Sequence, residues 1–177
     1  MRWLSDPWTE PFLPPAWTRS HWLASALRLL PAGSPRWRQV APEDQALLEL
    51  SQALLADPQR EGMQLLAHDD DGGRAVGFAT LYWTWQTLAA TRVGVMNDLY
   101  VAAEARGIGA ADGLIAACLE RCREHGATQL IWQTARDNYR AQAVYERIGA
   151  TRQDRCWITS CWLILADLSP RDGPPTS

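Results

Sequence analysis

The 177-residue chain contains no lysine, and all 17 of its basic residues are arginine. It has two phenylalanines and four cysteines. No apolar run approaches the roughly 18 to 20 residues that a helical membrane span needs, so no membrane role is expected. Basic residues form no cluster and the formal net charge is −3. That balance argues against non-specific nucleic-acid binding and permits a cationic ligand. Residues 1–7 lack a continuous apolar stretch behind a basic start, so no secretory signal is expected. Four cysteines in a chain of this length do not make a disulfide framework, and a reducing cytoplasm fits them.

What is present is globular. Hydrophobic residues make up 47% and charged residues 21%, and the length suits one domain with a full core. Ten residues are tryptophan, five of them within the first 37 positions. Residues 1–35 read as a Trp/Pro-rich extension, with one helix over 20–30. The regular domain spans 36–168, and 169–177 is a Pro/Gly/Ser-rich tail. Within the domain the pattern predicts a strand at 37–40 and a helix from Pro42 to Asp57. A hairpin of strands (63–68 and 75–85) follows, closed by the Asp69-Asp70-Asp71-Gly72-Gly73 turn. Then come a strand at 91–101, a helix ending near His125, a strand at 129–134, a helix at 139–148 and a last strand at 157–165. Such an order implies a mixed α/β sheet with helices on its faces.

The informative segment is the turn from the 91–101 strand into the next helix: Arg106-Gly107-Ile108-Gly109-Ala110-Ala111. Small residues let a ligand approach the backbone. The first-turn N–H groups have no intrahelical partners and carry the positive end of the helix dipole. That is an anion site suited to a pyrophosphate, with Arg106 able to add a charge-assisted hydrogen bond. A dinucleotide-binding turn is the competing reading of Gly107-x-Gly109. It wants a first-strand position and a later ribose-binding acid, and the strand 129–134 ends without one.

Arg106-Gly107-Ile108-Gly109-Ala110-Ala111 follows Asp98-Leu99-Tyr100-Val101 and precedes Asn138-x-x-Ala141-x-x-x-Tyr145. In this order the segments resemble the GCN5-related N-acetyltransferase (GNAT) superfamily. Tyr82-Trp83-x-Trp85 and Trp132 bring the chain nearest its polyamine and small-amine branch. Asn97 stands where some of those relatives carry a second acid, and Ala103 where many carry a proline. The resemblance implies a mixed, mostly antiparallel sheet of seven strands whose central pair splays apart to admit acetyl-CoA. It implies that backbone at Leu99, Tyr100 and Val101 pairs with the pantetheine, that the N–H groups of Arg106, Gly107, Ile108, Gly109, Ala110 and Ala111 hold the pyrophosphate, and that Asn138 contacts the cofactor arm. Tyr145 would protonate the leaving thiolate, or be core. Homodimers are common among such proteins.

Acetyl transfer needs a neutral amine, although a free alkyl amine has a pKa of about 10.4. A carboxylate that takes the amine proton meets that need. Asp98 is the candidate, its other reading being a structural hydrogen-bonding group; Glu43, Asp44 and Glu61 are weaker ones. Strand alternation puts Asn97 and Asp98 on opposite faces. It also sets Trp83 and Trp85 against Tyr82. Tyr82, Trp83, Trp85 and Asn97 are the expected substrate-binding residues, since aromatic faces attract cations. No metal is expected: Cys118 and Cys122, at helical spacing before His125, read as core. The expected function is direct acetyl transfer to a primary amine of a small molecule such as a polyamine, amino acid or amine-bearing antibiotic. The alternatives are a protein or peptide N-acetyltransferase, or a CoA-binding regulatory module without turnover. Lacking lysine, the chain offers no side-chain amine of its own to the reaction.

Overall fold

The computed structural model describes residues 43–69, 74–153 and 161–167. The expected extension at 1–35, the strand at 37–40, most of the aspartate turn and the tail lie outside them. Helix α1 (Asp44–Ala56) starts from an extended Glu43 with Asp44 in its positive first turn. It turns Leu47, Leu50, Ser51 and Leu54 inward. Asp57 ends it, its carboxylate Oδ1 accepting from the Arg60 N–H at 3.1 Å. Strands β1 (Gly62–His68), β2 (Ala75–Gln86) and β3 (Thr91–Val101) then form an antiparallel meander. A single 3₁₀ turn (Ala103–Ala105) leads to α2 (Ala110–Glu124). Strand β4 (Gln129–Ala135), helix α3 (Tyr139–Arg147) and strands β5 (Thr151–Gln153) and β6 (Cys161–Asp167) complete the order.

The six described strands make one sheet in the order β1-β2-β3-β4-β6-β5. Only β3 and β4 run parallel, and α2 is the crossover between them. Helices lie on both faces. Leu47 and Leu50 of α1 pack with Leu66, Phe78 and Tyr100 on one. Leu114, Ile115, Cys118 and Cys122 of α2 join Leu81, Trp83 and Met96 on the other.

The last strand is described from Cys161, opposite Ala135, to Asp167, opposite Gln129, and its expected start at 157 lies outside the described residues. One element differs from the sequence expectation. Strand β5 was not expected, since three residues are too few for alternation to show. It forms because Thr151, Arg152 and Gln153 pair with Leu165, Ile164 and Leu163.

Close packing between β3 and α2 depends on Gly94. A Cβ there would fall 2.4 Å from Cys122 Sγ and 3.1 Å from Leu81 Cδ1. We predict that Gly94→Ala destabilises the protein by about 1–3 kcal/mol in urea unfolding. Cys122→Ala in the same chain should recover part of that loss. Additive effects of the two substitutions would show that the contact does not limit packing.

Candidate active site

Three facts of the backbone build the site. First, β3 and β4 pair over only Val93–Gln129, Gly94–Leu130 and Val95–Ile131. Beyond them the strands part, and the edge of β3 from Met96 to Val101 that faces β4 has no ladder partner there. This is the splay the resemblance implies. Second, β3 carries a bulge. Thr80 opposes Asp98 and Leu81 opposes Met96, so Asn97 is the extra residue. A bulge bends its strand and strengthens the twist, which helps β3 to leave β4. Third, the 106–109 turn delivers α2 with its first turn at the mouth of the wedge.

That first turn is uncapped. Gly109, the N-cap, is left-handed (φ 88°) and no side chain caps the helix. The first ladder bond runs from Gly113 N–H to Gly109 O at 3.0 Å, so the amides of Ala110, Ala111 and Asp112 point out of the helix end. Gly107 is also left-handed (φ 85°), and a Cβ at either glycine meets nothing within 4 Å. The glycines therefore serve the backbone conformation and leave the cradle open. Arg106 donates its Nε–H to Val101 O at 3.0 Å, which pins the turn to the strand and leaves the guanidinium's other donors facing solvent. One acid sits in the cradle, Asp112, and Arg147 of α3 neutralises it with both carboxylate oxygens at 2.8 Å from Nη2.

The bulge changes the expected alternation. Asn97 is exposed and donates its Nδ2–H to Asp98 Oδ2 at 3.1 Å, so the two side chains act together rather than on opposite faces. Asp98 lies on the α1 face with Tyr100, whose ring is 5.8 Å from Phe78. Tyr82 lies on this face too. Burial and, second, the Asp98 charge push its phenol above the usual tyrosine range.

Tyr145 lies on the other side. It is 6% exposed and its ring meets Trp132 edge-on at 5.2 Å, in the core cluster that includes α2. Burial pushes its phenol up to about 12, so it stays protonated across the physiological range. The Trp132 Nε1–H is buried without a partner, on the first β4 residue beyond the paired segment. Asp98 and Tyr145 thus lie on opposite faces of the sheet.

Three expected roles are corrected. Trp83 is 8% exposed, stacks on His125 at 3.9 Å and donates its Nε1–H to Pro58 O at 2.8 Å. It is a core staple on the face away from Asp98, about 10 Å up the strand. Trp85 is 60% exposed, with the Arg92 guanidinium 5.0 Å over its ring, at the end of β2 remote from the wedge. Asn138 is the N-cap of α3. Its Oδ1 accepts from Ala141 N–H at 3.3 Å, and its Nδ2–H donates to Thr134 Oγ1 at 3.1 Å. Its side chain thus already serves the turn that sets Tyr145 in place. The Asp112–Arg147 pair was missed, since residues 35 apart give no spacing signal.

A sheet split at its centre leaves room between two strands for an extended ligand, and the uncapped helix end offers free amides to an anion. The comparisons agree. Residues 2–150 match the acetyltransferase (GNAT) family, and the chain belongs to that family. It is 34% identical over 97 residues (55% of this chain, 60% of the relative) to a D-amino-acid N-acetyltransferase of Saccharomyces cerevisiae. Over 80 residues it is 34% identical (45% and 54%) to an uncharacterized N-acetyltransferase of Bacillus subtilis. The chain thus spans little more than half the length of these two relatives. Among solved structures it resembles a ribosomal-protein-alanine N-acetyltransferase from Brucella melitensis, with 26% identity and a TM-score of 0.57 over 79% of this chain and 91% of that one.

Cys118 and Cys122 are buried free thiols. Burial pushes both above the usual range, Cys122 to about 12. A thiol kept protonated is a poor nucleophile. Native protein treated with iodoacetamide at pH 8 should show neither residue alkylated by peptide mapping, and both should react in urea. Labelling of either in the folded protein would contradict this packing.

Proposed function

We propose that this protein transfers the acetyl group of acetyl-CoA directly to a primary amine of a small molecule. One observation supports the reading: β3 and β4 part after three shared pairs, with Asp98 on one face of the sheet and Tyr145 on the other. The residues present fit the co-substrate. The unpaired β3 edge at Leu99, Tyr100 and Val101 suits the amides of a pantetheine arm, which would add there as a strand does. The α2 amides from Ala110 onward, the 106–109 turn and Arg106 suit a pyrophosphate. Bound there, acetyl-CoA supplies an acetyl group activated as a thioester.

On the α1 face, Asp98 would pair with the acceptor's ammonium group and take its proton as nitrogen attacks. The Asn97 amide would hold the carboxylate's other edge, and Tyr82 would line the approach. On the α2 face, Tyr145 would donate a hydrogen bond to the departing sulfur. Its phenol at about 12, set against a free thiol near 8.5, makes complete proton transfer uphill by roughly 5 kcal/mol. Tyr145 is therefore read as a hydrogen-bond donor to the thiolate first and a proton source only late in the step.

Likeness to the yeast D-amino-acid enzyme supports a small-molecule acceptor, and likeness to the Brucella ribosomal-protein enzyme supports a peptide N-terminus as the second reading. The reading includes a cytoplasmic location, supported by two free core thiols. Among the described residues no helix is long and apolar enough to cross a membrane.

Thiol release from acetyl-CoA over a panel of amino acids, polyamines, aminoglycosides and N-terminal peptides tests the reading. Release with a small amine is expected. Release with peptides alone would move the assignment to the second reading, and binding without any release would end both. Tyr145→Phe should lower kcat by roughly 10- to 100-fold, with the KM for acetyl-CoA nearly unchanged. Asp98→Asn should lower kcat/KM by at least as much. No alkaline limb should trace to Tyr145 below about pH 12.

A further inference from the structure

Four side-chain polar atoms under α1 are sealed from solvent and have no hydrogen-bond partner: Ser51 Oγ, Gln64 Nε2 and Oε1, and Thr80 Oγ1. Ser51 and Thr80 are both 0% exposed. Buried polar groups are rarely left unpaired, because each forfeits its bonds to water. Four orphans in one place need an account.

The register brings them into one row. Gln64 opposes Thr80 on β1 and β2, and Thr80 opposes Asp98 on β2 and β3. All three lie on the α1 face, because Leu66, Phe78 and Tyr100, two residues away on the respective strands, pack there with Leu47 and Leu50. Directly opposed residues have Cβ atoms roughly 4.5–5.5 Å apart. Ser51 comes from the inward stripe of α1, buried with Leu54 one turn beyond Leu47.

Donor and acceptor types fix a direction along this row. An ionised carboxylate only accepts, so Asp98 must be the terminus. Thr80 O–H can donate to it, Gln64 Nε2–H to Thr80 Oγ1, and Ser51 O–H to Gln64 Oε1. With these three links all four orphans are satisfied. We propose that Ser51, Gln64 and Thr80 form a hydrogen-bonded chain that ends on Asp98. Thr80 is then a positioning residue for the carboxylate, and Gln64 and Ser51 hold Thr80. The chain would hold the Asp98 carboxylate in one orientation, since a group bonded at the end of a packed row of partners does not turn freely.

The other groups facing Asp98 are few. Tyr82 is the titratable one on β2, and the Asn97 amide is neutral. The inward residues of α1 carry no charge, and on β1 the titratable His68, whose pKa burial lowers, stands four residues beyond Gln64 at the far end of the strand. Ile131 and Gln133, which alternation places on this side of β4, carry no charge.

The kinetic consequence rests on the reading of Asp98 as the amine's base, but the hydrogen bonds do not. The test therefore uses two readouts on the full chain. In ¹³C-carboxyl NMR at about pH 7, the Asp98 signal is identified by its loss in Asp98→Asn. Thr80→Val should move its chemical shift, Thr80→Ser should restore it, and Gln64→Met should move it by less. Thr80→Val should also lower kcat/KM several-fold with the KM for acetyl-CoA nearly unchanged, and Thr80→Ser should recover it. An unmoved signal in folded Thr80→Val overturns the proposal. If Thr80→Val does not fold, an unmoved signal in Gln64→Met does so. A signal that moves while kcat/KM stays fixed upholds the chain and removes Asp98 as the base.

Discussion

Strands β3 and β4 hold each other over three residue pairs and then separate. Parallel neighbours require a crossover, and here the crossover helix α2 returns across the face on which Trp83, Met96 and Gly94 pack against it. The bulge at Asn97 lies just past the last shared pair and bends β3 at the point where it must leave. From that departure follow the unpaired edge at Leu99 to Val101, the outward aim of the first α2 turn, and a gap with Asp98 on one face of the sheet and Tyr145 on the other. Had β3 and β4 stayed paired to their ends, the two side chains would be separated by a continuous sheet.

The electrostatics of the mouth follow from the absence of lysine. Positive potential there must come from backbone dipoles and arginine. Arg106 spends its Nε–H on Val101 O, so its structural and ligand-facing uses come from different edges of one planar group, which a lysine ammonium would not provide. Asp112 favours the helix N-terminus in isolation but opposes an anion in the cradle. The bidentate Arg147 contact resolves that conflict. It also ties the first turn of α2 to the last turn of α3, two residues beyond Tyr145. As a partly exposed pair it adds little to stability. Its value lies in charge compensation and in the spacing between the anion site and the phenol.

Much of this was legible in the chain. The leucines of α1, the small residues of the 106–111 turn and the tyrosine of α3 each announce themselves by local pattern. Local pattern is also where reading stopped. Trp83 and Trp85 look alike as aromatic strand residues, and only the contacts with His125 and Pro58 separate a core staple from a surface ring. The bulge adds one residue to one strand, leaves no compositional mark, and changes which face Asn97 and Asp98 share. Asn138 carried a ligand-binding pattern, whereas its geometry is that of an N-cap. A cap and a ligand contact call for the same short polar side chain at a helix start.

The two faces of the sheet differ in polarity. Beside Tyr145 the surroundings are apolar: Trp132, Ile115, Leu114 and Cys118. That setting keeps the phenol neutral. It suits a thioester sulfur that must leave without being hydrated early. Beside Asp98 the row of Thr80, Gln64 and Ser51 is polar and the carboxylate is partly open to solvent. A charged amine can arrive there without first losing all its water, and desolvation is what a charge resists most. An acceptor entering from the α1 face and a donor seated from the α2 face would meet only within the wedge. Water would be scarce there and both reacting groups would already be oriented. Hydrolysis of the thioester would then be limited by the same separation that makes transfer possible, since water reaching the sulfur side would have to pass the buried Trp132–Tyr145 contact.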